Sequence, residues 1–246
     1  MFSCLHSCIV RREPNRGAFT LNLEPARQTA CGDGEGTLMA DDDLKRQLVD
    51  RFREVNGDHP MTSADDAYVS AQFAVLEDLC AAQGRDADEV RRLMLERRLP
   101  LPGYLRSDGA EMVPADLFAL AGQAGGIARL ETWFTAHWPD PATGKQEWEF
   151  YLSGQYVCLR SVTPANIQRK DYLAAAISAA ADKPDSGSAQ WTTRLHALID
   201  ELDALEPAFT AYDRLRFGGP TSRDTCINTM RARFPRHEPG KRAGTG

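Results

Sequence analysis

The clearest chemical pattern in the chain is RFGGPTSRD at positions 216–224. Gly218 and Gly219 can turn the backbone so that successive N–H groups converge, and Thr221 or Ser222 can cap a helix that follows. Arg216 and Arg223 flank the turn. Converging N–H groups at a helix start, with arginines beside them, attract anions. These six residues, Arg216, Gly218, Gly219, Thr221, Ser222 and Arg223, are therefore the candidate anion site. The stretch lacks the lysine and the full spacing of a P-loop. The same residues also suit a plain glycine turn followed by a capped helix.

Other constellations are weaker. Cys158, His196 and Asp200 are the pieces of a nucleophilic triad, but no glycine-flanked elbow presents the thiol. His196, Asp200 and Asp203 fall on one helix face by i, i+4 and i+7 spacing, which is also the pattern of a solvated polar face. Cys4, His6 and Cys8 match no common zinc spacing and lack an evident fourth ligand. No catalytic residue, metal site or cofactor is assigned from the sequence.

The elements that must carry these residues belong to a 246-residue chain, with 42% hydrophobic and 26% charged residues. That is ordinary for a protein with a buried core. No run of eighteen apolar residues occurs, so no membrane span is expected. The net charge of −6 excludes a globally basic nucleic-acid binder. Residues 61–126 hold six basic and eleven acidic side chains, so the acidity is concentrated there. Six cysteines are too few for a disulfide scaffold, and a cytoplasmic location is expected.

Periodicity predicts a mainly α protein. Residues 1–60 read as a poorly ordered extension, with a short amphipathic helix near 44–55 carried by Leu44, Leu48, Phe52 and Val55. Met39 and Met61 are both suitable starts, so residues 1–38 are expected to lie outside the natural product. From Met61 to Gly126, Ser63 is read as a cap, and a helical stripe runs through Val69, Phe73, Leu76, Leu79 and Cys80. Gly84 breaks that stripe. Asp86 and Glu89 then open a second helix, which stops at Leu99-Pro100. LPGYL and AEMV read as two short strands turning at Asp108-Gly109. Pro114 is read as the first turn of a third helix. From Ile127 to Pro235 an all-helical domain of about five helices is expected, with a loop at 139–145, a break at Gly154 and Thr163-Pro164 as a helix start. Residues 236–246 read as a disordered tail.

Three helices and a small hairpin in this order make a winged-helix-like module. LEDLCAAQGRDADEVRRLMLERRLPLP, within residues 68–121, resembles the DNA-binding module of excisionases and MerR-type regulators. Gly84 falls on their helix-turn glycine and Asp86 on their cap. Arg97 stands where a glycine is common, and Cys80 where a small residue is usual. The resemblance implies that helix 86–96 enters the major groove, with Arg85, Arg91, Arg92 and Arg106 as the nucleic-acid contacts. The electrostatics oppose this, because Asp86, Asp88 and Glu89 crowd the leading edge of that helix. Taken together, LPGYLRSDG, YLSGQYVCLRSVTPANI and RFGGPTSRD also resemble an uncharacterised bacterial family labelled as natural-product biosynthesis proteins. That label implies a setting and no reaction. The expected function is a non-enzymatic accessory protein that binds another protein or a small anionic ligand. A DNA-binding regulator and an enzyme for an anionic small molecule are the alternatives.

Overall fold

A computed structural model of the protein describes residues 36–182, 184–185 and 188–236. The readings at Cys4, His6 and Cys8, and most of the tail after residue 235, lie outside the described residues. Among those described, the chain is mainly helical with one small sheet.

Helix α1 spans Gly36–Asn56, longer than the 44–55 stripe. Leu48 and Phe52 on that stripe are fully buried, so this helix is built into the core. Helix α2 (Ser63–Gln72) is capped by Thr62, one residue before the expected Ser63. The Thr62 hydroxyl accepts from the Asp65 N–H while Asp65 accepts from the Thr62 N–H, a reciprocal capping box.

The stripe from Val69 to Cys80 is not one helix. Phe73 turns extended (φ −126°, ψ 154°), and Ala74–Val75 form strand β1 before α3 (Leu76–Ala82) begins. A β-branched and an aromatic residue suit the break, but its cause is tertiary. Ala74 and Val75 pair antiparallel with Val113 and Met112. Helix α4 (Ala87–Leu95) follows Gly84, whose φ of +62° suits glycine, and is capped by the Asp86 carboxylate. Strands β2 (Tyr104–Leu105) and β3 (Glu111–Val113) form the expected hairpin. Its turn closes through Arg106 N–H to Ala110 O at 3.0 Å, with Gly109 at φ +82°. The antiparallel sheet order is β1-β3-β2.

Pro114 does not open a helix; turns occupy 115–118, and α5 covers Ala119–Gln123. Helix α6 is Ile127–Thr135. The segment expected as a loop through Lys145 is instead the first turn of α7 (Pro141–Leu152), because Asp140 caps it and Pro141 supplies the preset φ. Gly154, at φ +72°, ends that region as expected. A 3-10 turn at Gln155–Cys158 leads to α8 (Pro164–Asp182), where the Asn166 N–H donates to Thr163 Oγ1 at 3.1 Å. Helices α9 (Ala189–Leu205) and α10 (Ala211–Phe217) follow. The expected last helix is a π-helix at Arg223–Asn228 that continues into α11 (Thr229–Arg233).

The largest core cluster runs from Leu48 through Leu76, Leu93, Leu101 and Leu120 to Leu130, Phe134, Trp148 and Ile167. It therefore contains residues from both sides of position 126. Within it, Phe134, Trp148 and Tyr151 lie with ring centroids 5.2–5.4 Å apart. Aromatic pairs at such separations add about 0.5–1.5 kcal/mol each beyond the area they bury. Helices α8 and α9 and the π-helix enclose a second cluster around Ile177, Ile199, Leu202 and Ile227. A third joins Val69, Tyr104 and Met112 to Tyr212 and Phe217 of α10.

Candidate functional site

Helix α4 is the element that a groove-reading function requires, and α1 packs along it. Val90, Leu93 and Met94 of α4 lie in the same core as Leu48. Its exposed residues are Glu89 and Arg92, between the exposed cap Asp86 and the exposed Glu96, Arg97 and Arg98 that follow. The helix itself thus exposes one acid and one base, within a stretch, residues 61–126, that holds six basic and eleven acidic side chains.

The four arginines named as nucleic-acid contacts have different surroundings. Arg91 is buried. Its Nε donates to Glu111 at 2.9 Å, its Nη1 to Asp88 at 2.8 Å, and its Nη2 to both Glu111 and Glu77 at 2.6 Å. Burial opposes its charge, but the hydrogen bonds from Glu111, Asp88 and Glu77 hold the guanidinium pKa above its ordinary value. Every nitrogen of Arg91 is thus engaged by a carboxylate, and none is turned to solvent. Arg106 holds Asp108 through two nitrogens, at 2.9 and 2.6 Å, and reaches Ser70 with the third. Arg85 lies 4.4 Å over the Phe118 ring. Arg92 is exposed.

The 216–224 turn is also occupied from within. Gly218 is the left-handed cap of α10 (φ +73°). The Thr221 N–H and hydroxyl both donate to Asp224 Oδ2 at 3.0 Å, so a carboxylate of the chain takes the position expected for an anion. Arg214 grips Asp224 at 2.6 and 3.0 Å, and this lowers the Asp224 pKa to about 2. Thr221 and Ser222 are buried, and Ser222 donates to the buried Glu206. Arg223 turns to Asp203 and to the Glu206 carbonyl. Arg216 points away from the turn. Its guanidinium donates to the carbonyls of Gly103 and Gly154 and to Asn56 Oδ1. It therefore ties α10 to the end of α1 and to two loops. The structure does not bring these six residues to one open site.

His196 is buried, with Nε2 2.7 Å from the Phe234 carbonyl. Asp200 and Asp203 hold Arg231 at 2.9 Å each, so the polar face of α9 is an ion-pair ladder. Cys158 belongs to the main core. Among the described residues no group of His, Cys, Asp and Glu could hold a metal ion. No helix among them is long and apolar enough to cross a membrane.

Two of the concavities among the described residues bear on binding. A cavity of about 30 Å³ sits between Pro100, Leu117, Tyr151, Tyr156 and Val162, room for one or two waters. An open cleft of about 700 Å³ lies where the α3–α4 turn meets α5 and the start of α6. Gln83 and Arg85 form one wall, and Asp116, Phe118 and Gly122 are also in its lining. Sequence reasoning named Arg85 here for another reason and missed Asp116 and Phe118, because the cleft exists only once Phe118 comes under Arg85.

Residues 130–235 match a family of unknown function, DUF6058. No curated protein and no solved structure matches the chain.

Proposed function

We propose that the chain is a non-enzymatic interaction protein in which a winged-helix-like unit serves as a packing module and does not read DNA. The likeness to a winged helix is supported by the run helix, strand, helix, helix, hairpin over 63–113 and by the sheet order β1-β3-β2. Two backbone positions support it further. Gly84 adopts φ +62° at the helix turn, and Arg97 adopts φ +62° where the resembling modules commonly have glycine. Fold alone does not carry function, and the observation that carries the reading is Arg91. A guanidinium with every nitrogen on Glu111, Asp88 or Glu77, and its side chain only 5% exposed, presents no open edge to a phosphate or a base. With α1 along α4 and eleven acidic against six basic side chains over residues 61–126, the module lacks the basic field that DNA affinity depends on. Cys80, Cys158 and Cys226 are buried in the core as thiols, which supports a cytoplasmic setting. The resemblance to natural-product biosynthesis proteins makes a component of such a pathway the partner we propose.

The test has two arms. Fluorescence anisotropy with duplex DNA from the protein's own upstream region is expected to show no saturable binding at physiological salt. Tagged protein purified from its own cells at native expression is expected to bring a protein in stoichiometric yield. Saturable DNA binding that weakens steeply with salt, or recovery of the chain with nucleic acid and no protein, would overturn the proposal.

A further inference from the structure

The cleft beside Arg85 holds opposite charges that do not meet. Arg91, Arg97, Arg98 and Arg106 each pair with a carboxylate. The Arg85 side chain makes no hydrogen bond or ion pair among the described residues, and its guanidinium carbon lies 4.4 Å from the centre of the Phe118 ring. A cation held over an aromatic face uses no N–H for that contact, so the hydrogen-bonding capacity of Arg85 is left for a ligand. Asp116, in the same lining, is fixed differently. Its Oδ2 accepts from Ser161 Oγ at 2.8 Å, and its Oδ1 has no partner among the described residues. The rest of the lining consists largely of small residues, Ala115 and Gly122 among them, around a cleft of roughly 700 Å³. A volume of this size is that of a small-molecule site.

We propose that this cleft binds a zwitterion of the amino-acid or short-peptide class, with its carboxylate on Arg85 and its ammonium on Asp116. A planar guanidinium matches a carboxylate through two parallel N–H bonds, whereas an ammonium needs only the open carboxylate oxygen of Asp116. The exposed methyls of Ala115 and Ala119 offer apolar contact to a ligand side chain. A ligand carrying one charge alone would leave the opposite charge of the cleft unmatched. The site is separate from the α4 surface, so this inference stands or falls independently of the protein partner.

Calorimetric titration of the full chain with leucine, Leu-Leu and Leu-Leu-Leu tests it, each peptide compared with its C-terminal amide and its N-acetyl form. At least one of the three zwitterions is expected to bind, and blocking either end should weaken it about tenfold, the scale of one charge-assisted contact. Arg85→Gln should abolish the preference for the free carboxylate over the amide while keeping the preference for the free amine. Asp116→Asn should do the reverse. Each preference is a ratio within one variant, so a change in stability does not imitate it. Absence of binding by all three zwitterions, equal binding of the blocked forms, or variants that keep both preferences would overturn the proposal.

Discussion

Replacing Arg91 by methionine should unfold the protein more readily than any single surface change. The substitution keeps the aliphatic length and removes three nitrogens that together hold Glu111, Asp88 and Glu77. Glu111 is only 1% exposed, so the variant leaves a carboxylate in the interior without its counter-charge. Breaking one side of a buried pair costs about 3–5 kcal/mol. For a chain of this size each kcal/mol moves the melting temperature by about 2–4 °C, giving a fall on the order of 10 °C. Urea unfolding followed by circular dichroism measures the loss directly. The double variant Arg91→Met, Glu111→Gln should recover part of it, because the stranded charge is gone, with a coupling of about 2 kcal/mol. Acid sensitivity should change in step. The Arg91 hydrogen bond lowers the Glu77 pKa below its ordinary 4.5. The stability that this carboxylate contributes is present above pH 4.5 and is lost as pH falls through its folded value. In Arg91→Met the acid limb should therefore be shallower. A loss below about 1 kcal/mol, the value of an exposed pair, would refute the enclosure of Arg91 and reopen its use as a DNA contact.

Further perturbations have separate signatures. Arg216→Met removes the donor shared by Gly103 O, Gly154 O and Asn56, and equilibrium unfolding should show a loss of about 3 kcal/mol or more. Arg216→Lys should restore only part, since one ammonium cannot span the three acceptors. Gly154→Ala should cost about 2 kcal/mol or more by the same assay, because φ is +72° and the new methyl would meet Pro102 O at 2.6 Å. Gly84→Ala has open space at its methyl position and should cost only about 1 kcal/mol. Burial raises the Tyr68 pKa to about 12. Its contribution to stability should be complete below pH 10 and lost as pH rises toward 12, and Tyr68→Phe should remove one phenol from the alkaline absorbance titration.

Local chemistry made part of this architecture legible. Thr163-Pro164 starts α8, Asp86 caps α4 and Asp108-Gly109 turns the hairpin, each through contacts within a few residues. Strand β1 was hidden because two residues with a helical apolar spacing on either side show no break; its partners Val113 and Met112 lie nearly forty positions on. The pairing of Asp88 with Arg91 is visible as i, i+3 spacing, but Glu111, the buried member, is not local to it. At 216–224 a usable signal was present. Thr221 followed three residues later by an acid is a self-contained capping pattern, and Asp224 fills the turn. Arg216 offered no such sign, since Asn56 lies 160 positions away.

That long reach has a consequence for synthesis. Asn56 and the loops at Gly103 and Gly154 leave the ribosome well before the side chain that binds all three. A stalled nascent chain ending ahead of residue 216 should stay protease-sensitive across α1 and the hairpin, and resistance should arise in one step once Arg216 clears the exit tunnel. Maturation would then wait on the emergence of α10.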